Sequence, residues 1–201
     1  MAADTRILIV DAADRLLERH GYHRITMEDI AQEAGVGRRT VYVHFRSRED
    51  VCLACADRII DALHLAMQVI AESAGSPTDQ LREMLQTRVL FMFDRAQDNY
   101  QKYIDLFVAI RPAYLARREQ YIETEALRLR EVITEGIRAR EFATDNVPLT
   151  AQSLILATNS LMPYTLSPRQ LQARKEVKRQ LEHIINLLLH GLCKGRGAIR
   201  S

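Results

Sequence analysis

The chain has 201 residues, 47 % of them hydrophobic, and a formal net charge of +2, enough apolar material for one large domain or a small one joined to a larger one. Its 8 glycines and 5 prolines are too few for a turn-dense β protein or a disordered chain. No run approaches the roughly 18 apolar residues that a membrane span needs, so no membrane association is expected.

The first element is an amphipathic helix. Ile7, Val10, Ala13 or Asp14, and Leu17 recur at helical spacing, and "RHGYH" ends the run with Gly21 as the stop. Asp4, Asp11 and Asp14 interrupt its apolar pattern, which a secretory leader would not tolerate, so no leader is expected. Thr26 opens a short helix with Asp29 three residues on, the spacing of a capping box, and Gly35 ends it. A second short helix covers 37–45. Ser47 with Asp50 repeats the capping spacing at the head of a longer helix, whose apolar positions are Val51, Ala54, Ala56, Ile59, Ile60 and Leu63. Cys52 and Cys55 fall inside that helix as a C-x-x-C with no second pair. Zinc would lack ligands there, so no metal is expected; two buried free thiols in a reducing, cytoplasmic setting are.

"AGSP" at 74–77 is the clearest break and reads as a link between helices. A helix of 78–95, a turn at "QDN" (97–99) and a short helix through Phe107 are expected to follow. Pro112 lacks an amide hydrogen, so it is expected to interrupt that helix and start another running to Arg140 despite Gly136. "TDNVP" precedes a segment of 149–162, and "YTLSP" precedes a last helix of 169–192 in which Leu181, Ile184, Ile185, Leu188 and Leu192 share a face. With no strand alternation competing, the expected fold is all-α with about nine helices.

The stretch "TMEDIAQEAGVGRRTVYVHFRSR" (26–48) meets the demands of a helix-turn-helix. Two short helices crossing steeply need a small residue at their approach, which Ala31 supplies, and a turn residue tolerant of positive φ, which Gly35 supplies. Ile30, Ala34, Val36, Val41 and Phe45 stand at the inward spacings. The outward face is then fixed as Arg38, Arg39, Tyr42 and Val43, flanked by Thr40 and His44. Between Gly35 and Arg48 there are four arginines and no acid. Arginine donates bidentately to guanine or singly to phosphate; Tyr, Thr and His reach phosphate, and Val43 suits a thymine methyl. Thr26 heads the preceding helix, where backbone amides favour phosphate, and Arg48 heads the following one, where it is expected to clamp the backbone beyond.

At these residues the segment resembles the N-terminal DNA-binding module of the TetR family of transcriptional regulators: Gly21-Tyr22, Thr26, Ile30-Ala31, Ala34-Gly35-Val36, Thr40, Tyr42, Phe45 and Ser47-Arg48-Glu49. The match covers about a quarter of the chain. It implies a helix-turn-helix DNA-binding domain at 1–47, and at 48–201 a larger helical domain for effector binding and dimerisation. It further implies a homodimer on a palindromic double-stranded operator, usually repressing, with an unknown small-molecule effector and no other cofactor. Thr26, Arg38, Thr40, Tyr42, His44 and Arg48 occupy positions that commonly touch DNA in the family. Gly37 stands where a phosphate-binding Ser is common and Arg39 where Gly is common, so the operator cannot be transferred from a relative. The last two helices are expected to pair across the dimer, with Leu181, Ile184, Ile185 and Leu188 at the interface.

For the effector, the candidates are Tyr103, Phe107, Arg111, Tyr114 and Asn159: aromatics with a few polar groups, as such pockets require. Aromatics at helical spacing equally form plain core. The basic residues between Thr165 and Ser201 outnumber Glu176 and Glu182 and read as a solvated face and tail. Catalysis finds no nucleophile elbow, phosphate-binding glycine loop or H-E-x-x-H. The acidic residues, including those of "REQYIETEALRLRE", read as outward and salt-bridged, so an enzyme is not expected. A bundle enzyme would need inward carboxylates, and an interaction module without DNA binding would have no use for the clustered arginines.

Overall fold

The computed structural model describes residues 2–97 and 100–193. Among the described residues the chain is helical throughout, with nine α-helices and one isolated β-bridge between Phe142 and Cys193. It divides into two compact units: residues 1–61 with 99–118, and residues 62–98 with 119–201.

In the first unit, α1 (Ala2–His20) buries Ile9, Val10, Ala12, Ala13, Leu16 and Leu17. The stripe is therefore centred on Ile9 rather than on Ile7, which is 56 % exposed. Of the two alternatives at the next position, Ala13 faces the core, while Asp14 pairs with Arg58 at the surface. A single 3-10 turn, Tyr22–Arg24, leads to α2 (Met27–Ala34). The capping box at its head is complete: Thr26 Oγ1 accepts from the Asp29 amide at 3.2 Å, and Asp29 Oδ2 accepts from the Thr26 amide at 2.8 Å. Then come α3 (Arg38–His44) and the first half of α4 (Arg48–Ala71), where Ser47 Oγ accepts from the Asp50 amide at 3.2 Å. Val51, Cys52, Leu53, Ala54 and Cys55 complete this core. Burial lifts the thiol pKa of Cys52 to about 12 and raises that of Cys55 as well, so both stay protonated and serve as small apolar side chains.

The unit also takes in part of α6 (Tyr100–Arg138), which contributes the buried Ile110 with Leu106, Ala109, Ala113 and Tyr114 packed beside it. Lys102 Nζ donates to the carbonyls of Glu18 at 2.6 Å and Arg19 at 3.3 Å, closing the C-terminal end of α1. Helix α6 passes through Pro112 without ending, against the expected break. Val108, whose carbonyl would have received the missing amide hydrogen, lies on an exposed face together with Arg111 and Pro112, where solvent can satisfy it. Of the expected turn at 97–99, Gln97 still belongs to the helix Pro77–Gln97, and residues 98 and 99 lie outside the described residues.

In the second unit, α5 (Pro77–Gln97), α7 (Val147–Thr158), α8 (Pro168–Leu171) and α9 (Arg174–Leu192) pack with the remainder of α4 and α6. Met84, Leu85, Phe93, Leu129, Ile133, Ile155 and Leu181 are fully buried in it. The expected segment 149–162 is α7 followed by a 3-10 turn at Asn159–Leu161. The expected last helix is two: a Ser167–Gln170 capping box starts α8, and Ala173, with φ −109° and ψ 52°, separates it from α9. One junction too many before Pro112 and one too few here leave the expected number of helices unchanged.

After α6 the chain folds back through Arg140, at φ 61°, and the amides of Glu141 and Phe142 both donate to the Gly136 carbonyl. The buried Phe142 ring then lies against Gly136, where a Cβ would come within 2.1 Å of Phe142 Cδ2. Gly136→Ala gains about 1 kcal/mol of helix propensity, but the ring it displaces is core. We expect a net loss of about 1–3 kcal/mol, read as a lowered urea midpoint. A stabilised variant would contradict this packing.

Candidate nucleic-acid interface

The helix-turn-helix is built from its glycine outward. Gly35 adopts φ 68° and ψ 28°, the left-handed region that a side chain resists. The amide of Val36 donates to the Ala31 carbonyl at 3.0 Å, and that of Gly35 to the Gln32 carbonyl at 3.1 Å, so the turn is closed by its own backbone. Ile30, Ala31, Val41 and Phe45 are buried, with Ala34 and Val36 packed beside them. Arg15 and Arg19 of α1 both grip Glu33 of α2, at 2.7 and 2.6 Å, and lower the pKa of its carboxyl. The orientation of α3 is thus set by core contacts on one side and leaves its other side to solvent.

That side carries Arg38, Arg39, Tyr42 and Val43, all exposed, Val43 to 75 %. A valine so open among arginines has nothing of its own unit to cover it. The Arg38 guanidinium lies 5.6 Å from the centroid of the Tyr42 ring and 3.4 Å from Glu28, in a pair whose two side chains are both mostly exposed. Such pairs contribute little and give way readily to a phosphate or a base. Thr40 and His44 flank the face, half-buried, and Thr26 is exposed at the head of α2 with its hydroxyl engaged in the capping box. Gly37 caps α3 without a side chain. His44 also lines a surface groove of about 320 Å³ with Arg6, Arg46, Asp50 and Arg117.

Arg48 differs from its expected place. Its guanidinium lies 4.0 Å from the centroid of the Tyr22 ring, and Nη1 donates to the carbonyls of Ile25 at 2.8 Å and Tyr22 at 3.3 Å. Tyr22 donates its hydroxyl to Glu49; burial first, then that bond, raises the tyrosine pKa, and the bond lowers that of Glu49. Arg48 therefore ties the head of α4 to the 3-10 turn before α2 rather than reaching outward.

The effector candidates divide between the two units. In the first unit Tyr103 and Phe107 of α6 stack with centroids 6.4 Å apart, Tyr114 meets Phe107 edge-on at 5.5 Å, and Arg111 is exposed. Asn159 belongs to the second unit. There it is buried with Arg88, Glu125 and Thr158, a polar cluster that the reading of acidic residues as outward misses. Of the dimer candidates, Leu181 and Ile185 are fully buried against their own unit. The outer face of α9 instead runs through Ile184, Leu187 and Leu188, with Leu187 62 % exposed.

A short helix held by a glycine turn, with its arginine-bearing side outward, defines a helix-turn-helix protein. A model of the bacterial regulatory proteins of the tetR family matches residues 9–55, and one of the tetracyclin repressor-like C-terminal domain matches residues 77–186. The chain belongs to the TetR family. The HTH-type transcriptional regulator EthR of Mycobacterium tuberculosis is 35 % identical over 92 residues, 45 % of this chain and 41 % of that protein. The chain thus spans about two fifths of the length of such relatives. In fold, a transcriptional regulator from Cytophaga hutchinsonii aligns with a TM-score of 0.71 at 18 % identity, over 92 % of this chain and 96 % of that one. Thermus thermophilus FadR, a TetR-family repressor crystallised with lauroyl-CoA, aligns at 0.67 and 18 % identity over 98 % of each chain.

Proposed function

We propose that this chain is a ligand-responsive transcriptional regulator that binds a palindromic operator as a homodimer in the cytoplasm, represses from there, and is released by a small molecule. Residues 1–47 read the DNA and residues 48–201 sense and dimerise. The observation that carries the reading is the exposed face of Arg38, Arg39, Tyr42 and Val43 on a helix whose opposite side is locked into a core. Thr26, Gly37, Thr40 and His44 border the duplex, with backbone contacts at phosphate and side-chain contacts at base edges. Two such helices in a dimer stand about 34–36 Å apart, one turn of DNA. Fluorescence anisotropy against duplexes from the region upstream of the protein's own gene tests this. Sequence-selective binding that weakens steeply with salt is expected; the absence of binding to any palindromic duplex at low salt ends the reading.

The sensing half of the reading is supported by the family's C-terminal model over 77–186 and by the lauroyl-CoA held by Thermus thermophilus FadR. Effector and operator then weaken each other's binding by one shared factor, typically about 1–3 kcal/mol. Dimerisation falls to the outer faces of α7 and α9, which pack against one another and expose Leu149, Leu156 and Leu187, each more than half open. Leu156→Glu combined with Leu187→Glu is expected to convert a dimer to a folded monomer by sedimentation, since each change would bury a charge in the interface. An unchanged dimer would move the interface off these helices.

A further inference from the structure

The buried cluster of the second unit plays no part in reading DNA. Arg88 of α5 donates through Nε to Glu125 of α6, through Nη1 to Thr158 Oγ1 at 3.3 Å, and through Nη2 to Asn159 Oδ1 at 2.6 Å. Thr158 bonds back to the Leu154 carbonyl at 3.0 Å. Three helices are joined at one guanidinium, its side chain 3 % exposed.

Counting donors shows what the cluster still wants. Because Asn159 Oδ1 is held by Arg88, the amide's orientation is set and its Nδ2 hydrogens are directed elsewhere. Asn159 is 8 % exposed, and among the described residues nothing accepts from Nδ2. Buried polar groups in folded proteins find a partner. The partner this site asks for is a neutral oxygen. Glu125 already neutralises Arg88, and a second carboxylate would stand in the interior beside Glu125 with no cation left for it. On either side of Asn159 in the chain, Leu154, Ile155, Leu161 and Met162 are buried and apolar, which suits an apolar remainder for such a molecule.

We infer that Asn159 Nδ2 is the recognition point for the effector of the regulator proposed above, an apolar small molecule that presents a neutral carbonyl oxygen, as a ketone, ester or amide does. The inference rests on that reading for its biological role and on the unmet donor for its chemistry.

The test uses the full chain and three probes of matched length: methyl hexyl ketone, octanoate and octane. Calorimetric titration is expected to show the ketone binding at least about tenfold more tightly than the other two, the value of one buried hydrogen bond. Asn159→Ala removes the free donor without adding a second carboxylate beside Glu125; it is expected to lower ketone affinity relative to octane about tenfold. Asn159→Leu is measured beside it, so that a folding failure in one variant leaves the other to decide. Ketone and octane binding equally, ketone failing to bind, or ketone binding unaltered in the folded variant each overturns the proposal. Operator binding by the ligand-free preparation separates the two readings. A protein that binds its operator and ignores the ketone remains a regulator without this site; one that binds the ketone through Asn159 but no duplex keeps the site and loses the regulator role.

Discussion

Glu125→Ala is expected to lower the stability of the protein by about 3–5 kcal/mol, measured by urea denaturation, the magnitude found when one partner of a buried ion pair is removed. Against a total of about 5–15 kcal/mol for a typical domain, the variant would sit near the edge of folding. The loss does not measure what the pair contributes. It measures an arginine left uncompensated in the interior, with Thr158 and Asn159 as its remaining partners, since all four side chains are buried. The companion variant makes the distinction. Arg88→Met with Glu125→Leu removes both charges and fills the volume with apolar groups, and is expected to recover part of the loss, less the cost of leaving Asn159 Oδ1 without its donor. If Glu125→Ala costs less than about 1 kcal/mol, as an exposed pair would, Arg88 reaches solvent once its partner is gone and the cluster is not a closed core element.

This pair also marks how far periodicity carries a reading. On α5, Arg88 lies four residues after Met84 and three after Leu85; on α6, Glu125 lies four before Leu129 and eight before Ile133, all of them buried. Both charges stand on apolar stripes, so the signal is present in the spacing. It is overridden by the habit of treating every acid among arginines as solvated. The reading head is legible for the opposite reason. Its constraints are local: a capping box closed within four residues, a glycine in the left-handed region, and small or apolar residues at fixed offsets.

What could not be read is long-range. Periodicity shows that Leu181 and Ile185 lie on an apolar stripe, but not that their own unit covers it and leaves Leu187 outside. Nothing near Arg48 announces that carbonyls more than twenty residues earlier will occupy it. Likewise the aromatics Tyr103, Phe107 and Tyr114 do not reveal from spacing that α6 lends its first turns to the unit carrying the helix-turn-helix. Pro112 taught the wrong boundary because its cost depends on exposure: on a solvated face, water replaces the lost bond.

Arg38→Ala combined with Arg39→Ala is expected to weaken operator binding at least about 100-fold, each side chain supplying roughly a tenfold or greater share if it reads a guanine. The two are neighbours, so their effects need not add, and the single variants are measured with the double to expose the coupling. Folding should be untouched. Both side chains are exposed, and the contact of Arg38 with Glu28 is a surface pair of the kind that contributes little. An unchanged melting temperature is therefore part of the expected result. The signature of base reading is a loss larger on the cognate duplex than on a scrambled one; a loss equal on both, with a shallower salt dependence, would assign the two arginines to phosphate. If the double variant binds the cognate duplex like the parent, the outward side of α3 is not the reading face, and the proposed function goes with it.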